Sequence, residues 1–169
     1  KTFNSMDLMQ LCGAIKNKYD NETVMTKPQE ILVDVIGLGS GVVDRLSEQN
    51  LPVRGVNVAE APSTKKNFLN LRAELWFAIK DWLAQRDCRL PNDDELVAEL
   101  VAPIYKYTST GKIKIESKEE MKKRGIKSPD RADALALTMA SAAASFSGSQ
   151  SFMGYNFKKP LKSRILRVG

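Results

Sequence analysis

Apolar residues first recur at helical spacing, at Leu8, Met9, Cys12 and Ile15, with Asn4 or Ser5 as the candidate cap. The pattern runs down by Asp20 and Asn21, and after Pro28 the period changes. Ile31-Leu32-Val33-Asp34-Val35-Ile36 is a β-branched apolar run broken by a single acid, which predicts a buried strand in a central, largely parallel sheet. Gly37, Gly39 and Gly41 predict a flexible turn into a short amphipathic segment over 42–49, and residues 52–57 read as a second strand. Strand, helix and strand in that order favour a right-handed parallel crossover.

Residues 59–67 form a polar stretch, and a long helix is predicted from about 68 to 84, with Leu71, Leu75, Ile79 and Trp82 on one face. Asn92 or Asp93 caps another helix, through about 101. Residues 104–107 and 112–115 alternate apolar with polar across Thr-Ser-Thr-Gly, the pattern of a hairpin. Ser117 with Glu120 makes a capping box for a short basic helix. Ser128-Pro129-Asp130 opens the last helix with a cap, a proline and an acid, and the alanine-rich stretch carries it to about residue 144. Beyond it the chain turns Ser/Gly-rich and then basic. The expected organisation is one α/β domain over 1–144 and a flexible basic tail or docking segment over 145–169.

Charge and composition narrow the chemistry. The net charge of +6 owes most to Lys158, Lys159, Lys162, Arg164 and Arg167 in that tail, so the body is close to neutral and bulk charge demonstrates no nucleic-acid face. There is no histidine, which excludes mechanisms needing an imidazole base, nucleophile or zinc ligand. Cys12 and Cys88 lack metal-ligand spacing and read as buried thiols in a reducing compartment. No apolar run is long enough for a membrane helix. The opening at Lys1, with a helix pattern almost at once, leads us to expect an excised piece of a longer polypeptide.

Three carboxylates carry the candidate chemistry. Asp34 lies inside an apolar strand run, where an acid is costly unless a cation or hydrogen-bond donors meet it. It reads either as a strand-end acid bonded to the following glycine amides or as a metal ligand at a strand's carboxyl end. Asp130 and Asp133 are three apart and share a helix face. Asp130 is also explained by the helix N-terminus, and Asp133 by a solvated face or a salt bridge to Arg131 or Lys127. Convergence of Asp34 and Asp133 would make an oxygen-rich site suited to Mg²⁺ or Mn²⁺. Two such ions can cleave a phosphodiester without histidine. Elsewhere, Asp44 with Arg45 reads as a surface pair or a brace for the loop, Glu74 as a buried ion pair with Arg72 or Arg54, and Trp76 and Trp82 as core. Lys112, Lys114, Lys118, Lys122, Lys123, Arg124 and Lys127 form a charged run that is either a solvated face or a grip on a DNA backbone. Gly37-Leu38-Gly39 lacks the lysine and spacing of a phosphate-binding loop.

Segments 31–46, 70–76 (Asn-Leu-Arg-Ala-Glu-Leu-Trp) and 127–137 (Lys-Ser-Pro-Asp-Arg-Ala-Asp-Ala-Leu-Ala-Leu) together resemble the C-terminal nuclease domain of tailed-phage terminase large subunits, in order and spacing over roughly residues 3–140. The resemblance implies an RNase H-like α/β fold, a mixed sheet flanked by helices with a β-hairpin insertion at 104–115. It also implies a metal-dependent endonuclease cutting concatemeric double-stranded DNA during genome packaging. By position, Asp34 and Asp133 match the family's metal-binding acids and Asp130 an accessory position. The family's first metal-binding aspartate lies on an earlier strand, and no acid in residues 1–30 sits in a strand-like run, so that ligand and its strands are expected to be missing here. The implied partners are double-stranded DNA, the terminase small subunit, the portal protein and the ATPase domain of the same polypeptide, in the host cell cytoplasm. The rival readings are another RNase H-like nuclease, such as a junction resolvase, and a mainly non-enzymatic portal or DNA docking domain.

Overall fold

Asp7 starts the first helix. In the computed structural model, which describes residues 5–86 and 88–145, its carboxylate accepts from the Gln10 amide at 2.8 Å. The Gln10 side chain returns the bond to the Asp7 amide at 3.2 Å. This reciprocal pair satisfies two orphan donors at once and defines helix α1, Leu8–Asp20. Of the expected caps, Asn4 lies outside the described residues, and Ser5 stands two residues ahead in a left-handed conformation, φ 56°. Contacts divide the described chain into two units, residues 5–57 and 58–145.

In the first unit, strands β1 (Ile31–Asp34) and β2 (Val53–Val56) pair in parallel, with Ile31 opposite Val53 and Asp34 opposite Val56. Helix α2, Gly39–Glu48, connects them. The strand run is shorter than its composition suggested and half-buried rather than buried. Ile31 and Val33 pack on the cluster of Cys12 from α1, Val42 and Leu46 from α2, and Leu51 just beyond it. The two-residue period sends Leu32 and Asp34 to the opposite face. Burying Leu46 and Val42 contributes roughly 1.5–3 kcal/mol each. Met9, 56% exposed, falls off the buried face of α1.

The glycines after β1 are not a loose turn. Gly37 takes the left-handed conformation, φ 73°, but Gly39 and Gly41 belong to α2. A Cβ on Gly39 would lie 1.7 Å from the Asp34 carbonyl oxygen, and one on Gly41 would lie 2.7 Å from Leu8 Cδ1. Close approach of backbone to backbone, and of α1 to α2, selects glycine at these places.

In the second unit, Asn70 caps helix α3, Leu71–Ala84, by accepting from Ala73, and Asp93 caps α4, Asp94–Val101, by accepting from Leu96. Strands β3 (Tyr105–Tyr107) and β4 (Ile113–Ile115) pair antiparallel. The other edge of β4 bonds the 67–69 segment, where the Ile113 amide donates to Asn67 and the Leu69 amide to the Ile113 carbonyl. Among the described residues the strands thus form two separate two-stranded sheets instead of one mixed sheet. Ser117 and Glu120 form a complete capping box for α5, Lys118–Lys123. Helix α6, Asp130–Ser145, lays buried Ala132, Ala136 and Ala140 along one side, a four-residue repeat of small side chains that lets α3 pack closely.

Two expectations about packing are corrected here. Glu74, 3% exposed, does not pair with Arg72 or Arg54. Its carboxylate accepts the amides of Ser63 and Thr64 at 2.7 and 3.0 Å and both their hydroxyls, pinning the 59–67 segment onto α3. Arg54 instead meets Glu30. Arg45 pairs with Glu48 rather than with the adjacent Asp44, because a three-residue step brings side chains to one helix face. The tail expected after Ser145 lies outside the described residues.

Candidate active site

The start of α6 is held by an acid from another helix. Glu99 Oε2, on α4, accepts the amides of Arg131 at 2.7 Å and Ala132 at 3.0 Å, satisfying orphan donors of the first turn. Ser128, expected to cap this helix, turns its hydroxyl to Asp130 Oδ1 at 2.6 Å. Asp130 and Asp133 then project from one face of the first turn, as their spacing required.

Lys118, the first residue of α5, reaches both acids. Its ammonium lies 3.1 Å from Asp130 Oδ1 and 3.4 Å from Asp133 Oδ2. Asp133 Oδ1 accepts three further donors: Arg72 Nε at 3.2 Å, Arg72 Nη2 at 3.1 Å and the Trp76 indole N–H at 2.9 Å. The salt-bridge partners expected for Asp133, Arg131 and Lys127, are not the ones it takes. Arg131 binds Asp93 and Glu95, and Lys127 lines an open groove with Lys118, Lys122 and Ile126.

Two carboxylates against one ammonium and one guanidinium leave the cluster near neutrality. Partial burial works against the charged Lys118, but the hydrogen bonds and charges of Asp130 and Asp133 outweigh it and hold its pKa above the ordinary lysine value. Burial would likewise raise the Asp130 carboxyl, yet the Ser128 hydroxyl and Lys118 overcome it and hold that group below the ordinary aspartate value. At neutral pH Lys118 is therefore a fixed positive charge, unsuited to act as a base.

Asp34 belongs to the first unit. It ends β1 half-buried, and its Oδ1 accepts the Ile36 amide at 3.1 Å. This is an Asx-type turn two residues on, rather than a bond to the glycine amides. Among the described residues no three acidic or cysteine side chains gather closely enough to hold a metal. The donor chemistry nonetheless suits a hard divalent cation: carboxylate oxygens are its preferred ligands, and the Asp130–Asp133 pair already holds a cation in the Lys118 ammonium.

Residue types alone did not single out Arg72, Trp76, Lys118 or Glu99 for this site. The available signal was Arg72 with Trp76, a donor pair four apart on a helix with an otherwise apolar face.

The architecture is found in solved structures. A variant nuclease domain of the large terminase subunit gp2 of bacterial virus Sf6, solved with manganese and beta-thujaplicinol, superposes at TM-score 0.59, with 22% identity over 78% of this chain and 70% of that one. The same variant with manganese alone gives TM-score 0.60, with 23% identity over 80% of this chain and 75% of that one. A variant form with calcium gives 0.59, with 23% identity over 80% and 73%. This chain therefore has the fold of a phage large-terminase nuclease domain. No family model matches it, and no curated protein matches it by sequence.

Proposed function

We propose that this chain is the metal-dependent endonuclease domain of a viral terminase large subunit, with an RNase H-like fold, cutting concatemeric double-stranded DNA during genome packaging. The observation that carries the reading is the paired acids of Asp130 and Asp133 around a bound positive charge, at the start of a helix in a fold shared with phage terminase nucleases. Asp34 and Asp133 serve as metal ligands and Asp130 as an accessory ligand, for Mg²⁺ or Mn²⁺. The relatives solved with manganese and calcium support a divalent cation. Bound there, such an ion supplies Lewis acidity toward the phosphodiester and its attacking water. The chain's own residues do the rest. Glu99 fixes the helix start, Arg72 and Trp76 hold Asp133, and Lys118 keeps the two acids from repelling one another.

The groove lined by Lys118, Lys122 and Lys127 is the surface for the DNA backbone, with the β3–β4 hairpin as the family's insertion. Contacts of lysine with phosphate carry little sequence preference. The terminase small subunit, the portal protein and the ATPase domain of the same polypeptide are its partners, in the host cytoplasm. No helix among the described residues is long and apolar enough to cross a membrane.

The test is cleavage of supercoiled plasmid in Mg²⁺ or Mn²⁺ by the complete domain and by its Asp34→Ala and Asp133→Ala variants. Both variants should keep their circular-dichroism spectrum and lose cleavage. Nicking by either folded variant at the parent's rate refutes the assignment. A preference for four-way junctions over linear duplex would favour a resolvase instead.

A further inference from the structure

We infer that Arg72 and Trp76 are positioning residues: they saturate one oxygen of Asp133, Oδ1, and so present the other, Oδ2, to a divalent cation. The inference rests on Asp133 being a metal ligand, as proposed above, and adds how its orientation is fixed.

An ionised carboxylate oxygen offers about two lone-pair sites. Oδ1 of Asp133 meets three N–H donors, so its capacity is filled by protein. Oδ2 meets the Lys118 ammonium, which is half-exposed at 50%. The two oxygens therefore differ in kind: one is tied to the interior and the other already faces a cation.

The tie is rigid. Arg72 and Trp76 stand four apart on α3, and the Arg72 Cζ lies 5.8 Å from the Trp76 ring centroid. Trp76 is 8% exposed and the Arg72 side chain 15%. Arg72 is anchored a second time through Nη1, which donates to the Glu116 carbonyl at 2.7 Å. Neither donor group can turn away from Asp133 without leaving a buried polar atom unpaired, which is costly. Donors that hold a ligating group this way commonly govern metal affinity by about 10–100-fold.

The experiment is Mn²⁺ binding to the full chain, read by electron paramagnetic resonance as the loss of the free-ion signal, with thermal melts to confirm folding. Trp76→Phe removes the indole donor and keeps the ring. Arg72→Gln removes the fork, and serves as the second variant should Trp76→Phe fail to fold. Each folded variant should weaken Mn²⁺ binding by about 10-fold or more, while Asp133→Asn loses the site. Parent-like Mn²⁺ affinity in Trp76→Phe and Arg72→Gln, with Asp133→Asn defective, overturns the positioning role and leaves the ligand role standing. Parent-like affinity in Asp133→Asn, or a parent chain that takes up no Mn²⁺, overturns the ligand role itself and this inference with it.

Discussion

Glu74→Gln probes the buried carboxylate that fastens the 59–67 segment. In the parent, Oε1 accepts the Ser63 hydroxyl at 2.5 Å, the Thr64 amide at 3.0 Å and the Thr64 hydroxyl at 2.9 Å, and Oε2 accepts the Ser63 amide at 2.7 Å. Hydrogen bonds to a charged acceptor contribute about 1.5–3 kcal/mol each, and neutral ones about 0.5–1.5 kcal/mol. With the glutamine oxygen in the Oε1 place, three bonds survive in the weaker neutral form. The Ser63 amide then faces an NH₂ group, donor against donor. Ser63 is exposed, so water recovers part of that loss. The lost bonding is about 4–6 kcal/mol before offsets. A neutral amide is cheaper to bury than a carboxylate, which with the water leaves a net cost of about 2–3 kcal/mol, or roughly 4–12 °C in melting temperature for a domain of this size. Thermal melts at pH 7 measure it, with Asp44→Asn on the exposed side of α2 as a control expected to stay within about 0.5 kcal/mol. Trypsin should also cut faster after Lys65 and Lys66, because the segment that carries them loses its tether. A Glu74→Gln chain that melts within about 0.5 kcal/mol of the parent and resists trypsin equally refutes the reasoning.

Glu116 gives a pH dependence. Its hydrogen bond from Arg124 leads the causes that hold its pKa below the ordinary glutamate value, against the opposing effect of burial. A carboxyl depressed in the folded state contributes stability in full above its unfolded pKa of about 4.3. That contribution is lost as pH falls through the lower folded value. Glu116→Gln should therefore melt well below the parent at pH 7, with the gap closing in strongly acid solution; a constant gap across pH would contradict this. Gly13→Ala, in the interior of α1 with no atom near the added methyl, should stabilise by about 0.5–1 kcal/mol. Gly39→Ala must push the Asp34 carbonyl aside and should lower the first unit's stability by several °C; equal shifts for the two variants in calorimetry would argue against the close approach.

Element type was legible wherever a cap or a period spoke for it. Ser117 and Glu120 announced α5 and the alternating residues around Thr-Ser-Thr-Gly paired as β3 and β4, whereas Gly39 and Gly41, expected in a flexible turn, belong to α2. The first helix was placed correctly but its cap was not, since Asp7 with Gln10 forms a two-way bond that Asn4 or Ser5 does not. At the candidate site, spacing alone put Asp130 and Asp133 on one face. What it could not supply is the long-range half of the arrangement. Lys118, Arg72 and Trp76 come from two other helices, and nothing in a one-dimensional pattern says which charge an arginine on α3 will meet 61 residues later. Glu74 was misread for a related reason: burial of an acid suggests a cation, whereas amides and hydroxyls from a neighbouring segment satisfy it equally well.

Lys118 also bears on how the second unit tolerates its surroundings. Because the neighbouring acids come with an internal counter-ion, their mutual repulsion is offset as the chain folds without a metal ion from solution. A chelator should accordingly leave the beginning of the last helix intact. On the metal-ligand reading proposed above, a divalent ion would take the place that the tethered amine now holds, an exchange of one cation for another.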